Sequence, residues 1–168
     1  GKTREVFKSE ESVVTAMVST GGALYVAVGP PARVYRVNVA SGKSEEFHTA
    51  DAEYIWALAA GPGGVLYAAT GAPAGVLSID SKGNGSQIFA AEETHLRSVT
   101  WDARLGLFVG GGERGIVYRS SDGKADFRAL YDSGHVEITR IVVAQGSAYA
   151  AAVSGAQALI SEEGNEQR

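Results

Sequence analysis

The residues that decide the fold run from Tyr54 to His95 and read YIWALAAGPGGVLYAATGAPAGVLSIDSKGNGSQIFAAEETH. Four short apolar runs follow one another in this stretch, and none is long or regular enough to form a helix. Turns rich in glycine and proline separate the runs, the clearest being GPGG at 61–64 and GNG at 83–85. The stretch therefore predicts a four-stranded antiparallel meander. Its strands are expected at 54–60, 65–70, 76–80 and 86–91.

Polarity changes in one direction across these predicted strands. The first two runs, IWALAA and VLYAAT, are apolar and small, whereas the fourth, SQIFAA, is more polar and is followed by Glu92 and Glu93. A strand covered on both faces should resemble the first two runs, and an edge strand that faces water should resemble the fourth. We therefore expect the first strand to lie near a central axis and the fourth strand at the periphery.

The rest of the chain repeats this unit imperfectly. The second-strand motif occurs as LYVAVG, LYAATG, LFVGGG and AYAAAV, and its aromatic residue recurs at intervals of 42, 41 and 41 residues. Four strands in each unit of about 40 to 45 residues are typical of a β-propeller blade. The predicted fold is therefore all-β, a propeller of four blades of four antiparallel strands in a single domain over 1–168. The blades are expected at 11–53, 54–95, 96–137 and 138–168, with 1–10 completing the last. The aromatic residues are Tyr25, Tyr67, Phe108 and Tyr149.

The two ends of the sequence carry parts of one unit. Residues 1–7, GKTREVF, match the fourth-strand motifs GKSEEF at 42–47 and GKADF at 123–127, and the last unit has a third-strand motif at 157–162 but no fourth. Pairing of the two ends would complete the last blade and remove a free sheet edge. Three arrangements stay open: a ring closed by one chain, a segment of a longer propeller of about six to eight blades, and a ring shared by two chains.

Composition excludes several classes of function. The net charge of −4 argues against non-specific binding to nucleic acid or to an anionic membrane, because both need a basic surface. No apolar run approaches the about 20 residues of a membrane span. The chain contains no Cys, which excludes a disulfide framework and a thiolate metal site. A cytoplasmic location and a periplasmic or secreted one are both compatible with this composition.

The repeat resembles the WD40-like and NHL-like propeller repeats of bacteria, whose units read roughly G-x-G-x-L-Y-x-A-T, then G-x-V-Y-R-I-D, then G-K. Residues 61–70 with 75–80, and residues 115–124, carry parts of this pattern, whereas the Gly-His and Trp-Asp dipeptides of true WD40 blades do not recur in register. The resemblance implies a platform that binds a protein or a small ligand, and some relatives are calcium-dependent hydrolases or lyases. The acidic metal ligands of those enzymes have no match here, so no metal and no cofactor is expected.

Two further motifs are better explained as structure than as chemistry. The G-x-G-x-x-G at 110–115 is followed by a strand pattern and not by a helix, so it predicts a turn between strands and not a phosphate cradle. The histidines His48, His95 and His135 fall at different positions of the repeat, and a shared metal site is not expected.

The candidate binding residues lie at the start of the first strands, where large or polar side chains interrupt a small, apolar pattern. Strand alternation puts each column of such residues on one side, close to the axis. One column holds Val13, Tyr54, His95 and Glu137. The column two residues later holds Thr15, Trp56, Arg97 and Thr139, with Arg140 beside the last. Arg33 and Arg114 are expected in loops on the same face.

Two interpretations of these columns stay open. Tyr54 and Trp56 could pack between blades, with Arg97 paired to a carboxylate such as Glu137 or Glu93. Alternatively, the residues form a pocket at the channel mouth for a small anionic or sugar-like ligand, or for the acidic side chain of a partner.

The predicted function is a non-catalytic protein-interaction or scaffold propeller that acts through the loop face around the channel. A protein partner is expected, with the chain acting as a segment of a larger protein or assembly or as a homodimer. Changes at Arg33 or Arg114 should then weaken association without changing stability. The alternative is a small-ligand-binding, hydrolase-like or lyase-like propeller with its site in the central channel.

Overall fold

The computed structural model describes residues 3–10 and 13–154. Within these residues the chain contains fourteen β-strands, one 3-10 turn at Pro62–Gly64 and no α-helix. None of the described residues belongs to a helix that could cross a membrane. The strands are β1 Val13–Thr20, β2 Ala23–Gly29, β3 Arg33–Val37, β4 Ser44–Thr49, β5 Tyr54–Ala60, β6 Leu66–Gly71, β7 Gly75–Ile79, β8 Gly85–Ala90, β9 Leu96–Asp102, β10 Gly106–Gly111, β11 Ile116–Ser120, β12 Phe127–Asp132, β13 Glu137–Ala144 and β14 Ser147–Val153.

The strands form four antiparallel sheets in chain order. The first sheet contains β1–β4, the second β5–β8, the third β9–β12, and the fourth contains β13 and β14 among the described residues. The prediction of an all-β chain built from four repeats is thereby confirmed. The third strand predicted for the last repeat, at 157–162, lies outside the described residues.

The first strands of the four sheets pack side by side, β1 on β5, β5 on β9 and β9 on β13. Hydroxyl groups tie neighbouring strands together: Thr15 Oγ1 donates to the Ile55 carbonyl, and Ser98 Oγ donates to the Ile138 carbonyl at 3.1 Å. β1 packs on β5, β5 on β9 and β9 on β13, but β13 does not pack on β1 in the same way. The described residues therefore form an arc of sheets, and the single-chain ring that the repeat allowed is not closed by this contact.

Apolar contacts between successive sheets form the core. The aromatic residue of each second strand inserts against the next sheet, so Tyr25 shares a cluster with Ile55, and Tyr67 shares one with Leu96. Tyr25, Tyr67 and Phe108 are 9%, 3% and 3% exposed, whereas Tyr149 in the fourth sheet is 55% exposed. The predicted aromatic column is thus the element that joins one sheet to the next.

The start of the chain differs from the prediction. Residues 3–10 contain no strand, and no pairing with the fourth sheet is present among the described residues. Instead Phe7 packs on Tyr35 with ring centroids 5.3 Å apart, and Arg4 donates to the Ala40 carbonyl at 3.2 Å. Phe7 lies there because its ring buries apolar surface against Val26 and Val37 of the first sheet. No other described sheet covers this face of the first sheet.

Candidate functional site

Every first strand carries a β-bulge at the same position of the repeat. The pairing of β1 with β2 passes from Val14 to Ala16, and the pairing of the other first strands skips one residue at the equivalent place. A bulge leaves its extra residue unpaired and re-aims the side chain. The four extra residues line one cavity of about 550 Å³ between the sheets. They are Thr15, Trp56, Arg97 and Thr139.

Trp56 is the centre of an aromatic and cationic cluster at the mouth of this cavity. Its ring stacks on Tyr54 with centroids 4.6 Å apart and an interplanar angle of 19°. Its Nε1–H donates to His95 Nδ1 at 3.1 Å, and the guanidinium carbon of Arg97 lies 4.1 Å from the ring centroid. A guanidinium at this distance gains a cation–π interaction. Trp56 therefore joins the second sheet to two side chains of the third.

Arg97 extends the cluster to the fourth sheet. Its Nε lies 3.5 Å from Oε2 of Glu137, and the two side chains are 28% and 27% exposed. The same Nε is buried without a hydrogen-bond acceptor, and no described residue accepts a hydrogen bond from Arg97. The pairing with Glu137 that the sequence allowed is present, and it leaves the hydrogen-bonding capacity of the guanidinium largely unused.

A glycine that the sequence placed in a turn makes room for this cluster. Gly71 is the last residue of β6, and a Cβ at this position would collide with His95 Nδ1 and Trp56 Nε1 and would lie 3.0 Å from Trp56 Cδ1. Any side chain there would displace the hydrogen bond between the two rings. Gly71 is thus a site residue that the sequence pattern did not single out.

The protonation state of His95 follows from its surroundings. Burial, and then the charge of Arg97, hold the pKa of His95 below its usual value, while the carboxylates of Glu113, Glu53 and Glu137 act in the opposite direction. The imidazole is neutral at neutral pH, and the proton lies on Nε2 because Nδ1 accepts from Trp56. Protonation of Nδ1 would abolish that hydrogen bond.

This environment predicts a pH dependence of stability. Because the folded state holds the His95 pKa below the value of the unfolded chain, the unfolded chain binds the proton first as the pH falls. The free energy of unfolding should therefore be lower at about pH 5 than at about pH 7.5, and the loss should begin near the unfolded value of about 6.5. Denaturant titration at both pH values measures it. His95→Gln keeps an acceptor for Trp56 and should reduce the difference more than His135→Gln does; equal effects would contradict the assignment.

Carboxylates at the same face hold the loops and are not free for chemistry. Glu93 accepts hydrogen bonds from the Glu113 amide at 3.0 Å and from the Tyr118 hydroxyl at 2.8 Å, and Glu113 accepts from the Thr94 amide at 3.0 Å. The bond to Thr94 lowers the pKa of Glu113, and burial followed by the contact with Glu93 raises the pKa of Tyr118. Glu93, a predicted partner of Arg97, instead accepts hydrogen bonds from the backbone of the 112–115 turn and so fixes that turn.

The other predicted residues lie apart from the cluster. Arg33 was expected in a loop but is the first residue of β3, and it lies 3.7 Å from Glu46 of β4. Arg114 lies in a loop, as expected, 3.8 Å from Glu92. Arg140 lines the cavity, but no described residue forms a hydrogen bond or ion pair with it.

The histidines also have separate partners. His48 Nδ1 lies 3.0 Å from the Gly83 carbonyl and His135 Nδ1 lies 3.0 Å from Ser154 Oγ, whereas His95 pairs with Trp56. In the part of the chain that the structure covers, no three His, Cys, Asp or Glu side chains gather as metal ligands.

Comparison with known proteins supports the propeller-like fold and does not establish a function. No protein-family model matches the chain, and no curated protein matches it. Among solved structures, the nidogen/laminin complex aligns with a TM-score of 0.67 and 12% identity, over 77% of this chain and 52% of that one. The computationally designed Ika4 protein aligns with a TM-score of 0.67 and 10% identity, over 91% of this chain and 100% of that one. A protein assigned as a gluconolactonase aligns with a TM-score of 0.62 and 13% identity, over 77% and 53%.

These matches define the class of the fold. The chain spans about half the length of the nidogen/laminin and gluconolactonase chains that it matches. Identities this low show the fold alone, and that fold is β-propeller-like. The propeller-like architecture implied by the resemblance is therefore confirmed, whereas membership of the WD40-like or NHL-like groups stays a prediction.

Proposed function

We propose that this chain is a non-catalytic binding protein with a propeller-like fold, and that its channel mouth receives an acidic group of a protein partner. The observation that carries the proposal is the state of Arg97, whose guanidinium is stacked on Trp56 at the edge of a cavity, lies 3.5 Å from Glu137 through Nε, and makes no hydrogen bond to any described residue. A planar guanidinium in this state matches the geometry of a carboxylate.

The residue types at the mouth support a protein partner. Tyr, Trp and Arg are the side chains that dominate the binding energy of protein interfaces, and Tyr54, Trp56 and Arg97 occur together here. Arg140 adds a second cation to the cavity lining. The cluster is held rigidly by the stacking and by the hydrogen bond to His95, which reduces the entropy lost when a partner binds.

The absence of catalysis is supported by the way in which the reactive groups are occupied. His95 Nδ1 accepts from Trp56, and Glu93 and Glu113 are engaged by backbone amides. Glu137 faces Arg97. A general base must lie within hydrogen-bond reach of the proton that it abstracts, whereas the contacts of these groups hold the 112–115 turn and the Trp56 cluster in place.

The test is a selection of peptides from a random library on the immobilised chain. The selected peptides should be enriched in Asp or Glu, and Arg97→Ala should weaken their binding by at least about tenfold, because a hydrogen-bonded charged contact is removed. Arg128→Ala is the matched control, since it removes the same charge from an exposed position on β12. Peptides without acidic enrichment, or equal binding to Arg97→Ala, would overturn the proposal.

The cavity itself favours a second candidate, a small anionic or sugar-like ligand. Its volume of about 550 Å³ lies within the range of about 300–1,000 Å³ that small-ligand sites occupy. Threonine hydroxyls and two arginines in its lining could fix such a ligand. A melting-temperature screen with sugar acids, phosphates and divalent cations tests this candidate: a shift abolished by Arg97→Ala would support it, and no shift across the panel would remove it.

A further inference from the structure

The contact between Arg97 and Glu137 repeats the contact between Trp56 and His95 one sheet further along the chain. Trp56 and Arg97 are the extra residues at the bulges of β5 and β9. Trp56 Nε1 donates to Nδ1 of His95, which immediately precedes β9, at 3.1 Å. Arg97 Nε faces Oε2 of Glu137, the first residue of β13, at 3.5 Å. The repeat itself therefore places Glu137 against Arg97.

The Arg97 side chain is fixed on three sides. Its guanidinium carbon lies 4.1 Å from the centroid of the Trp56 ring, and Glu137 faces its Nε. Its stem packs on Gly112, where an added Cβ would lie 3.0 Å from Arg97 Cγ. Nε is the Arg97 nitrogen that is buried without a partner, so Nη1 and Nη2 are the atoms that a ligand in the cavity can reach. A carboxylate can meet this end of the guanidinium with two parallel hydrogen bonds.

The charges around the cavity suit a ligand group with one negative charge. Among the described residues of the lining, the charged side chains are Arg97 and Arg140. Glu137 lies behind Arg97, on the side of the buried Nε. Two guanidinium groups and one carboxylate leave a single positive charge. A doubly charged group costs more to remove from water than a singly charged one, and Glu137 repels it more strongly.

We propose that Glu137 makes the channel mouth selective for a carboxylate, such as that of Asp or Glu, and against a phosphate monoester. This inference rests on the proposed function, because it names the kind of acidic group that the mouth receives. A phosphate monoester carries a charge of about −1.5 to −2 at neutral pH. Glu137 is a positioning residue: it fixes the orientation of Arg97 and acts on the ligand through its charge, without touching it.

The test uses short peptides that differ in one central residue. A library with random flanks and a central Glu is passed over the immobilised chain, and its tightest binder is resynthesised with phosphoserine or Gln at the centre. At neutral pH the Glu form should bind about tenfold more tightly than the phosphoserine form, because the second charge is repelled by Glu137. The Glu form should also bind more tightly than the Gln form, which lacks the charge that Arg97 recognises.

Glu137→Gln tests the origin of the selectivity. It removes the repelling charge and keeps a side chain of the same length beside Nε, so the affinity for the phosphoserine form should rise about tenfold and that for the Glu form should change less. The gain should disappear when Arg97→Ala is added. Glu92→Gln is the matched control, since Glu92 is 95% exposed and lies 3.8 Å from Arg114, and it should leave the ratio of the two affinities unchanged. A role of Glu137 in folding alone would not change that ratio.

The outcomes separate this inference from the proposed function. Equal binding of the Glu and Gln forms would overturn the proposed function itself. A phosphoserine form that binds the unaltered chain as tightly as the Glu form, with both lost in Arg97→Ala, would overturn the selectivity alone. An unchanged ratio in a Glu137→Gln chain whose circular dichroism matches the unaltered protein would do the same. If that variant does not fold, the comparison of the peptides on the unaltered chain decides.

Discussion

Replacing Leu96 with Ala is expected to lower the free energy of unfolding by about 2–5 kcal/mol. Leu96 is fully buried in the cluster between the second and third sheets, where it packs with Tyr67 and Val109. Removal of its side chain leaves a cavity in the contact that joins one repeat to the next, so the loss should also reduce the cooperativity of unfolding between repeats. Urea denaturation monitored by circular dichroism measures both quantities.

The control for this prediction is a change of shape without a change of volume at the same position. Leu96→Met should cost less than about 1.5 kcal/mol, because the volume and the apolar surface are retained. If the two substitutions destabilised the protein equally, the effect would come from the backbone or from the shape of the side chain, and the assignment of Leu96 to the packed contact between sheets would be wrong.

Gly106→Ala is expected to cost about 2–4 kcal/mol, for a reason that does not involve lost apolar contact. Gly106 has φ +92°, a region that disfavours any Cβ, and a Cβ here would overlap the Ser120 carbonyl and lie 2.7 Å from the Ser121 carbonyl oxygen. The backbone conformation and the collision should therefore add. Thermal and urea denaturation of the variant measure the sum.

A second glycine separates the two causes. Gly22 also has a positive φ, +76°, but no atom lies within 4 Å of the position of an added Cβ. Gly22→Ala should thus show the conformational cost of about 1–2 kcal/mol alone. Equal losses at Gly106 and Gly22 would mean that the backbone around 120–121 relaxes and that the close approach is not rigid.

Much of the sheet structure could be predicted from the sequence, because the repeat supplies the same information four times. The strand predicted at 54–60 has those bounds in the structure, and the three that follow are each displaced by one residue. The displacement has one physical cause. Gly71, Gly75 and Gly85 were assigned to turns, yet each pairs within the ladder, because its lack of a side chain leaves room for a neighbouring ring, amide or carbonyl.

The candidate site could be predicted in its residue types but not in its geometry. The columns that break the small, apolar pattern do meet, and Tyr54, Trp56, His95 and Arg97 lie in contact. Strand alternation alone could not place the bulges, because an extra residue shifts the alternation by one place and the first strands show no regular alternation of polar and apolar residues in which that shift would be visible. The role of Glu93 was missed for a different reason: besides the Tyr118 hydroxyl, its partners are amides of the 112–115 turn, which any residue type would supply.

A residue in a β-sheet usually has to pair with a neighbouring strand and also to orient its side chain. At the recurring bulge these two requirements fall on different residues. Thr15, Trp56, Arg97 and Thr139 have no partner in the ladder of their own sheet. The side chain at each of these places is therefore free of the requirements of strand pairing, while its direction into the cavity is set by the backbone. Four such positions on one fixed frame allow the chemistry of the cavity to change without a new fold, and the contact between Trp56 and Arg97 couples two of them.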